Sequence, residues 1–200
     1  MQLYQLSPAE WEAAGVSQLR MGFSRFTDMP AARSVSGYGF RTYRPGDEGA
    51  WIDTLSTGDF GVWDRPRLDR MLAGERAPLP LEGVVFATSD DMPVGVANLF
   101  FYERAGSPYS ELGWVAVRPE HRGRGLAYEV CRRILLFAQS AGHHYTYLKT
   151  EDFRLGAITT YLRLGFEPEL YEPGHTARWD ELRRITTVAW PAGAPDRGGM

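Results

Sequence analysis

"VAVRPEHRGRGLAYEV", residues 115 to 130, decides how this chain is read. Its first residues finish a strand-like run, "SELGWVAV" (110 to 117), which stops at Arg118-Pro119 because proline has no amide to give a sheet. A basic glycine loop follows. Apolar residues then recur at helical spacing at Leu126, Ala127, Val130, Cys131, Ile134, Phe137 and Ala138, and Gly142 closes the run. A helix N-terminus leaves its first amides unpaired and carries partial positive charge, so it suits an anion. Gly123 and Gly125 allow close backbone approach, and Arg122 and Arg124 add charge-assisted donors. Two readings stand at this point: an anion cradle, or a sharp strand-to-helix turn with solvated arginines.

Working outward, "GVVFATSD" and "PVGVANLFFYE" read as two strands joined at "DDMP", which makes an antiparallel hairpin. Before them, "YGFRTYRP" alternates like a strand and stops at Pro45. "GDEGAWIDTLS" has acids in its first turn, where they suit a helix dipole, and "RPRLDRMLAG" is a short helix ending at Gly74. After the loop and its helix come a strand, "YTYLKT", a helix, "LGAITTYLRLG", and a strand, "FEPELYE". "ARWDELRRITTVAW" has the pattern of a helix that could turn into a strand. Near the start, "SPAEWEAAG" carries a Ser cap and an early Pro, so a short helix is expected. From Tyr38 the expected order is β-α-α-β-β-β-α-β-α-β, an α/β chain whose mixed sheet carries helices on both faces.

With 200 residues, 44% of them apolar and 24% charged, the chain suffices for one good-sized domain with a real core. The expected division is an extension over 1–33, a single domain over 34–190 and a flexible Pro/Gly-rich tail over 191–200. A net charge of −3 argues against a general nucleic-acid binder. The single cysteine, Cys131, rules out an intrachain disulfide and falls on the apolar helix face, so a buried thiol is expected. No apolar run approaches membrane-spanning length, and no basic start leads into an apolar stretch; a soluble cytoplasmic protein is expected.

Spacing narrows the anion. The loop lacks the closing Gly-Lys-Ser/Thr of a P-loop and the third glycine of a dinucleotide loop. "DFG" (59 to 61) has no kinase glycine loop beside it. An RNA-binding Arg-Gly segment fails too, because "RGRG" occurs once, between a strand and a helix.

"VAVRPEHRGRGLA" resembles the cofactor signature of the GNAT superfamily of N-acetyltransferases, with Arg122, Gly125 and Ala127 at the signature positions. "LKTEDFRLGAITTYLRLGFEP" (148 to 168) resembles the family's second segment, and the likeness covers roughly residues 38 to 171. It implies a mostly antiparallel central sheet and acetyl-CoA as donor. The pyrophosphate would lie on the amides of Arg122, Gly123, Arg124, Gly125, Leu126 and Ala127. Pantetheine would pair like a strand with the backbone of Val115, Ala116 and Val117. It also implies a primary amine of a small molecule or protein as acceptor, and often a homodimer. Family members often carry Asn three residues before the Ala of the second segment; Arg154 stands there, so that contact is not carried over.

Acetyl transfer needs a deprotonated amine, a polarised thioester carbonyl and a proton for the leaving thiolate. A phenol, titrating near ~10, can protonate a thiolate of a thiol near ~8.5. The family pattern assigns that role to Tyr161, which otherwise reads as part of an apolar stripe with Ala157, Ile158 and Leu162. Glu111, six residues before Val117, is the candidate base; the alternative is a solvated strand carboxylate. Simple alternation puts Glu111, Gly113, Val115 and Val117 on one face, with Gly113 leaving room for substrate or water, unless a bulge intervenes. Backbone amides of Val115 or Val117 are candidates for the thioester oxygen, and Glu151 and Asp152, at the end of the next strand, are secondary candidates for the base. No nucleophilic cysteine is placed for a covalent step, so direct attack is expected. His121, His143, His144 and His175 show no ligand spacing, so no metal is expected. His175, Arg178 and Trp179 are candidates for the acceptor end of the cleft. Trp51, Phe60 and Trp63 form either an aromatic wall or core. The competing function is a non-catalytic acyl-CoA sensor on the same fold.

Overall fold

Two-residue turns set the frame of the larger part of the molecule. At Asp90-Asp91 (φ +48° and +64°) and at Ala105-Gly106 (φ +51° and +77°) both central residues lie in the left-handed region. That geometry matches the twist of antiparallel strands and closes tight hairpins. The computed structural model describes residues 2–190; the tail expected over 191–200 lies outside them. The helices are α1 (Pro8–Ala13), α2 (Glu48–Ser56), α3 (Arg65–Leu72), α4 (Leu126–Ser140), α5 (Leu155–Leu164) and α6 (His175–Ile185). The strands are β1 (Leu19–Phe23), β2 (Gly39–Thr42), β3 (Val84–Ser89), β4 (Met92–Arg104), β5 (Ser107–Val117), β6 (Thr146–Thr150) and β7 (Glu167–Glu169). The fold class is α/β. The chain divides into two compact units, Arg25–Thr146 and Met1–Ser24 with Tyr147–Met200.

In the unit Arg25–Thr146 the strands run β2-β3-β4-β5, each pair antiparallel. One sheet face buries Val84, Phe86, Val96, Phe100 and Ala116 against Trp51 and Leu55 of α2 and Leu68 and Met71 of α3. Trp51 is fully buried, with its ring edge-on to Phe86 at 5.5 Å, so its part is core. Helix α4 covers the other face: Phe137 reaches the site above Gly83, beside Leu99. Alternation along the strands sends residues to two covered faces, which is why β3 and β4 read as near-continuous apolar runs. Burial of each large side chain is worth ~2 kcal/mol. Cys131 is buried in α4, and burial pushes its thiol well above the ordinary range.

The segment from Phe26 to Tyr38 runs along α4 as a strap. Gln139 Nε2 donates to the Phe26 carbonyl at 2.6 Å, and the Tyr128 hydroxyl donates to the Ala31 carbonyl at 3.1 Å. The Arg33 amide donates to Glu129 at 3.2 Å, and Tyr38 Oη lies 2.9 Å from His121 Nδ1.

In the other unit, α1 starts with Ser7 and Glu10 capping each other's backbone amides and Pro8 at the first position. Strand β1 pairs antiparallel with β7 and lies next to β6. The sequence reading placed no strand at 19–23. Four of those five residues are buried, so the alternation that marks a strand is missing. Helix α6 runs to Ile185, and no strand follows through residue 190. Trp11 Nε1 donates to Asp152 at 3.4 Å, and Arg178 also grips Asp152 through two nitrogens. No helix among the described residues is long and apolar enough to cross a membrane.

Candidate active site

Strand β5 carries a bulge, and it corrects the expected facing. Val96 of β4 pairs with Ala116, but Asn98 pairs with Gly113, so two residues, Trp114 and Val115, oppose the single Ala97. Glu111, Gly113 and Ala116 therefore share the face of Phe100, Asn98 and Val96, while Val117 turns to the other face with Leu112. Val115 and Val117 do not align with Glu111. Gly113 leaves no open space either, because a Cβ there would meet the Phe100 ring at 3.0 Å.

Trp114 sits at φ +52°, a conformation that is strained for so bulky a side chain by roughly 1–2 kcal/mol. Aromatic packing offsets it. The Trp114 ring meets Trp63 edge-on at 5.0 Å and Phe60 at 5.4 Å, and the Arg67 guanidinium lies 4.1 Å from the Trp63 centroid. Arg67 Nη1 also donates to the carbonyls of Phe60 and Val62, tying the 57–64 loop down. Of the aromatic candidates, Trp63 is buried and Phe60 partly so.

Glu111 is not solvated; it is 3% exposed. Arg76 donates to its Oε1, and the Tyr102 hydroxyl donates to its Oε2 at 3.1 Å. Burial pulls the Arg76 guanidinium down, but the charge and hydrogen bonds of Glu111 and Tyr102 together outweigh that and hold it above its ordinary value. Burial and then the Glu111 charge push the Tyr102 phenol up. Sequence reasoning missed Arg76, Tyr102 and Trp114, since their partners lie across the sheet. Asn98 was missed as well: fully buried, it offers both side-chain polar atoms to no protein partner among the described residues. A lone amide inside "VGVANLFF" was the available signal, and an unpaired buried amide costs ~1–3 kcal/mol unless water or a ligand satisfies it.

The loop after β5 is built as an open helix start. Gly123 (φ +74°) and Gly125 (φ +85°) are both left-handed, and a Cβ on either would meet nothing within 4 Å. Gly125 is the N-cap of α4 and no side chain caps that end. By contrast, Asp64 accepts from the Arg67 amide at the start of α3 at 2.8 Å. The longest helix among the described residues thus opens on bare amides at Leu126 and Ala127. Arg122 is committed elsewhere: its Nε donates to the Val117 carbonyl and its Nη2 to the Thr57 carbonyl, both at 2.8 Å, so it shapes the loop. Arg118 does likewise, donating to Thr54 Oγ1 at 3.2 Å. Arg124 is exposed and lies 5.9 Å from the Tyr38 ring.

In the other unit, Tyr161 faces inward from α5, its ring 5.9 Å from Phe166, which in turn packs on Phe23 at 5.4 Å. Gln18 donates to Glu151 at 2.7 Å and Arg154 pairs with Glu151 as well; Asp152 is held by Arg178. Neither carboxylate is left as an open base. His175 and Trp179 are each 1% exposed, which places them inside their unit. Burial, then the Arg178 charge, hold the His175 imidazole below its ordinary range. Among the described residues no group of histidine, cysteine and carboxylate side chains has metal-site geometry.

The Acetyltransferase (GNAT) family model matches residues 49–166, more than half of the chain. The chain belongs to that family. N-acetyltransferase 8B of Rattus norvegicus is 36% identical over 63 residues, which are 32% of this chain and 28% of that protein, so the match spans under a third of this relative. A GCN5-related N-acetyltransferase from Sphaerobacter thermophilus superposes with a TM-score of 0.59 at 23% identity, covering 76% of this chain and 49% of that one. One from Kribbella flavida gives 0.56 at 22% identity, covering 76% and 55%. These likenesses establish the GNAT fold.

Proposed function

We propose that the chain is an acetyl-CoA-dependent N-acetyltransferase that passes the acetyl group directly to a primary amine of a small molecule or protein. The observation that carries this is the uncapped α4 N-terminus behind two left-handed glycines with open space above them, in a member of the GNAT family. That cradle fits a pyrophosphate: bare amides, helix polarity and no side chain in the way. Arg124, which donates to the Glu120 carbonyl at 3.4 Å, adds an exposed charge at its rim, while Arg122 fixes its shape. Val115 shares Ala97 with Trp114 in the bulge and has no β4 partner of its own, which suits a strand end that offers backbone groups to pantetheine or to the thioester oxygen.

Glu111 takes the proton that the acceptor ammonium must shed. The amine lone pair then forms the C–N bond, the C–S bond breaks, and the Tyr161 hydroxyl protonates the thiolate. The acylated nitrogen releases its extra proton, which restores the phenol, leaving the amide and free CoA. Burial of Cys131 supports direct attack without an acetyl-enzyme. Family membership extends the reading to a homodimer, which light scattering checks.

The engagement of Glu111 by Arg76 and Tyr102 favours one other reading, an acyl-CoA sensor without turnover. Calorimetry with acetyl-CoA and a thiol-release assay over a panel of amines decide between them. Binding with release supports the enzyme, binding without release across all amine classes supports the sensor, and no binding removes both.

A further inference from the structure

Arg76 stands beside the candidate base as a half-open cation. Its side chain is 42% exposed, against 4% for Glu111, and its Nη2 bonds the Glu111 carboxylate. Tyr102 is a further hydrogen-bond partner of the guanidinium, which nevertheless stays partly open to solvent. The guanidinium is held over two rings, 5.3 Å from the Phe100 centroid and 6.0 Å from that of Trp114. A guanidinium stacked in this way keeps its planar fork of donors in one place, which suits bidentate recognition of a carboxylate. Beyond it lie Trp114, Trp63 and Phe60, an apolar surface on which the other charge in contact, Arg67, is also positive.

A half-open ion pair flanked by aromatic rings, its guanidinium partly at the surface and its carboxylate buried behind it, is complementary to a zwitterion. From this geometry, and resting on the acetyltransferase reading above, we infer that the acceptor is an amine that also carries a carboxylate. Its ammonium exchanges for the guanidinium at Glu111, its carboxylate takes the freed donors of Arg76, and an apolar group lies along Trp114 and Phe60. Polyamines and amines with a second cation are disfavoured, because that cation would meet Arg76 or Arg67.

The test compares twenty L-amino acids with their matching primary amides as acceptors, using the full chain and acetyl-CoA, with acetyl-CoA binding followed separately by calorimetry. The acids are expected to exceed the amides at least about 10-fold in kcat/KM for the acceptor. In Arg76→Gln the gap should collapse, mainly through KM, and Arg76→Lys should restore part of it. Unchanged acetyl-CoA affinity in both variants reports that they fold. Amides used as well as acids, a gap that survives Arg76→Gln, or no acetylation of either set by protein that binds acetyl-CoA would each overturn the inference and leave the donor reading in place. Absence of acetyl-CoA binding overturns the acetyltransferase reading and this inference with it.

Discussion

Two glutamates in the unit Arg25–Thr146 are almost equally hidden, yet they are held in different ways. Glu129, on α4, is 1% exposed and gripped by Arg132 and Arg133, with the Arg33 amide as a further donor. Burial pushes its carboxyl up, but those donors and charges outweigh it and hold the group below its ordinary value. All its partners come from its own helix and from the strap that runs along it. Glu111, on β5, is held by one half-exposed arginine from outside the sheet and one tyrosine from the neighbouring strand. A closed set of partners fastens structure together. A carboxylate whose main partner is partly open to solvent can trade that partner for a ligand, and this difference separates a structural ion pair from a candidate catalytic one.

Isosteric amides give the sharpest way to break the comparison. Glu111→Gln should lower turnover by about 10²- to 10⁴-fold, the span expected for a lost general base, with acetyl-CoA affinity nearly unchanged. Glu129→Gln should leave the turnover of folded protein alone and cost about 2 kcal/mol of stability, since it weakens charge-assisted hydrogen bonds inside the fold. Steady-state kinetics and denaturant melts on both variants check this. If both lose stability and neither loses turnover, Glu111 is as structural as Glu129.

The contrast also shows where sequence reading stops. Helix α4 was legible because its apolar residues keep helical spacing, and the β3–β4 hairpin because Asp90-Asp91 accept the left-handed region its turn demands. The glycine loop that opens α4 could be read from residue types alone. Glu111 could be singled out as a candidate, but not its surroundings: Arg76 lies 35 positions away and meets it only through tertiary packing. The bulge at Trp114-Val115 arises from pairing with β4, and residue-by-residue alternation cannot see it. Strand β1 hid for the opposite reason, being buried on nearly every residue. Local pattern reports single elements. It does not report which polar groups long-range packing brings together.

Tyr161→Phe sharpens the comparison from the other unit. Loss of the proton donor should lower kcat about 10²-fold, leaving the acetyl-CoA dissociation constant and the melting temperature close to wild type, because the ring still packs on Phe166. Unchanged turnover would withdraw the acid assignment. A smaller effect belongs to the cradle. Gly125→Ala forces a Cβ into φ +85°, a strain of ~1–2 kcal/mol, without a clash. Acetyl-CoA affinity should fall about 10-fold while kcat at saturation holds, and calorimetry reads this directly. An affinity within twofold of wild type would remove the loop from the donor site.

The smallest effect concerns acid stability, where Glu129 and the buried histidines separate by pH. His143 is 4% exposed and lies 4.2 Å from the Phe101 ring; burial, then the charge of His144, lower its value below 6.5. The unfolded chain therefore takes up protons first as pH falls, so stability declines as pH drops through 6.5 toward the depressed folded value. His175 adds to the same limb. Glu129 acts lower. Its folded value lies below 4.5, so the stability it supplies is full above 4.5 and is lost as pH falls through the folded value. Melting temperatures measured from pH 8 to 4 should show two successive declines. His143→Phe should flatten the first, and Glu129→Gln should flatten only the second. A first decline that is unaltered by His143→Phe would mean that the imidazole is free to protonate in the fold. A second decline that persists undiminished in Glu129→Gln would show that other carboxylates govern the acid limb, and Glu129 would lose its place as the structural pole of the comparison.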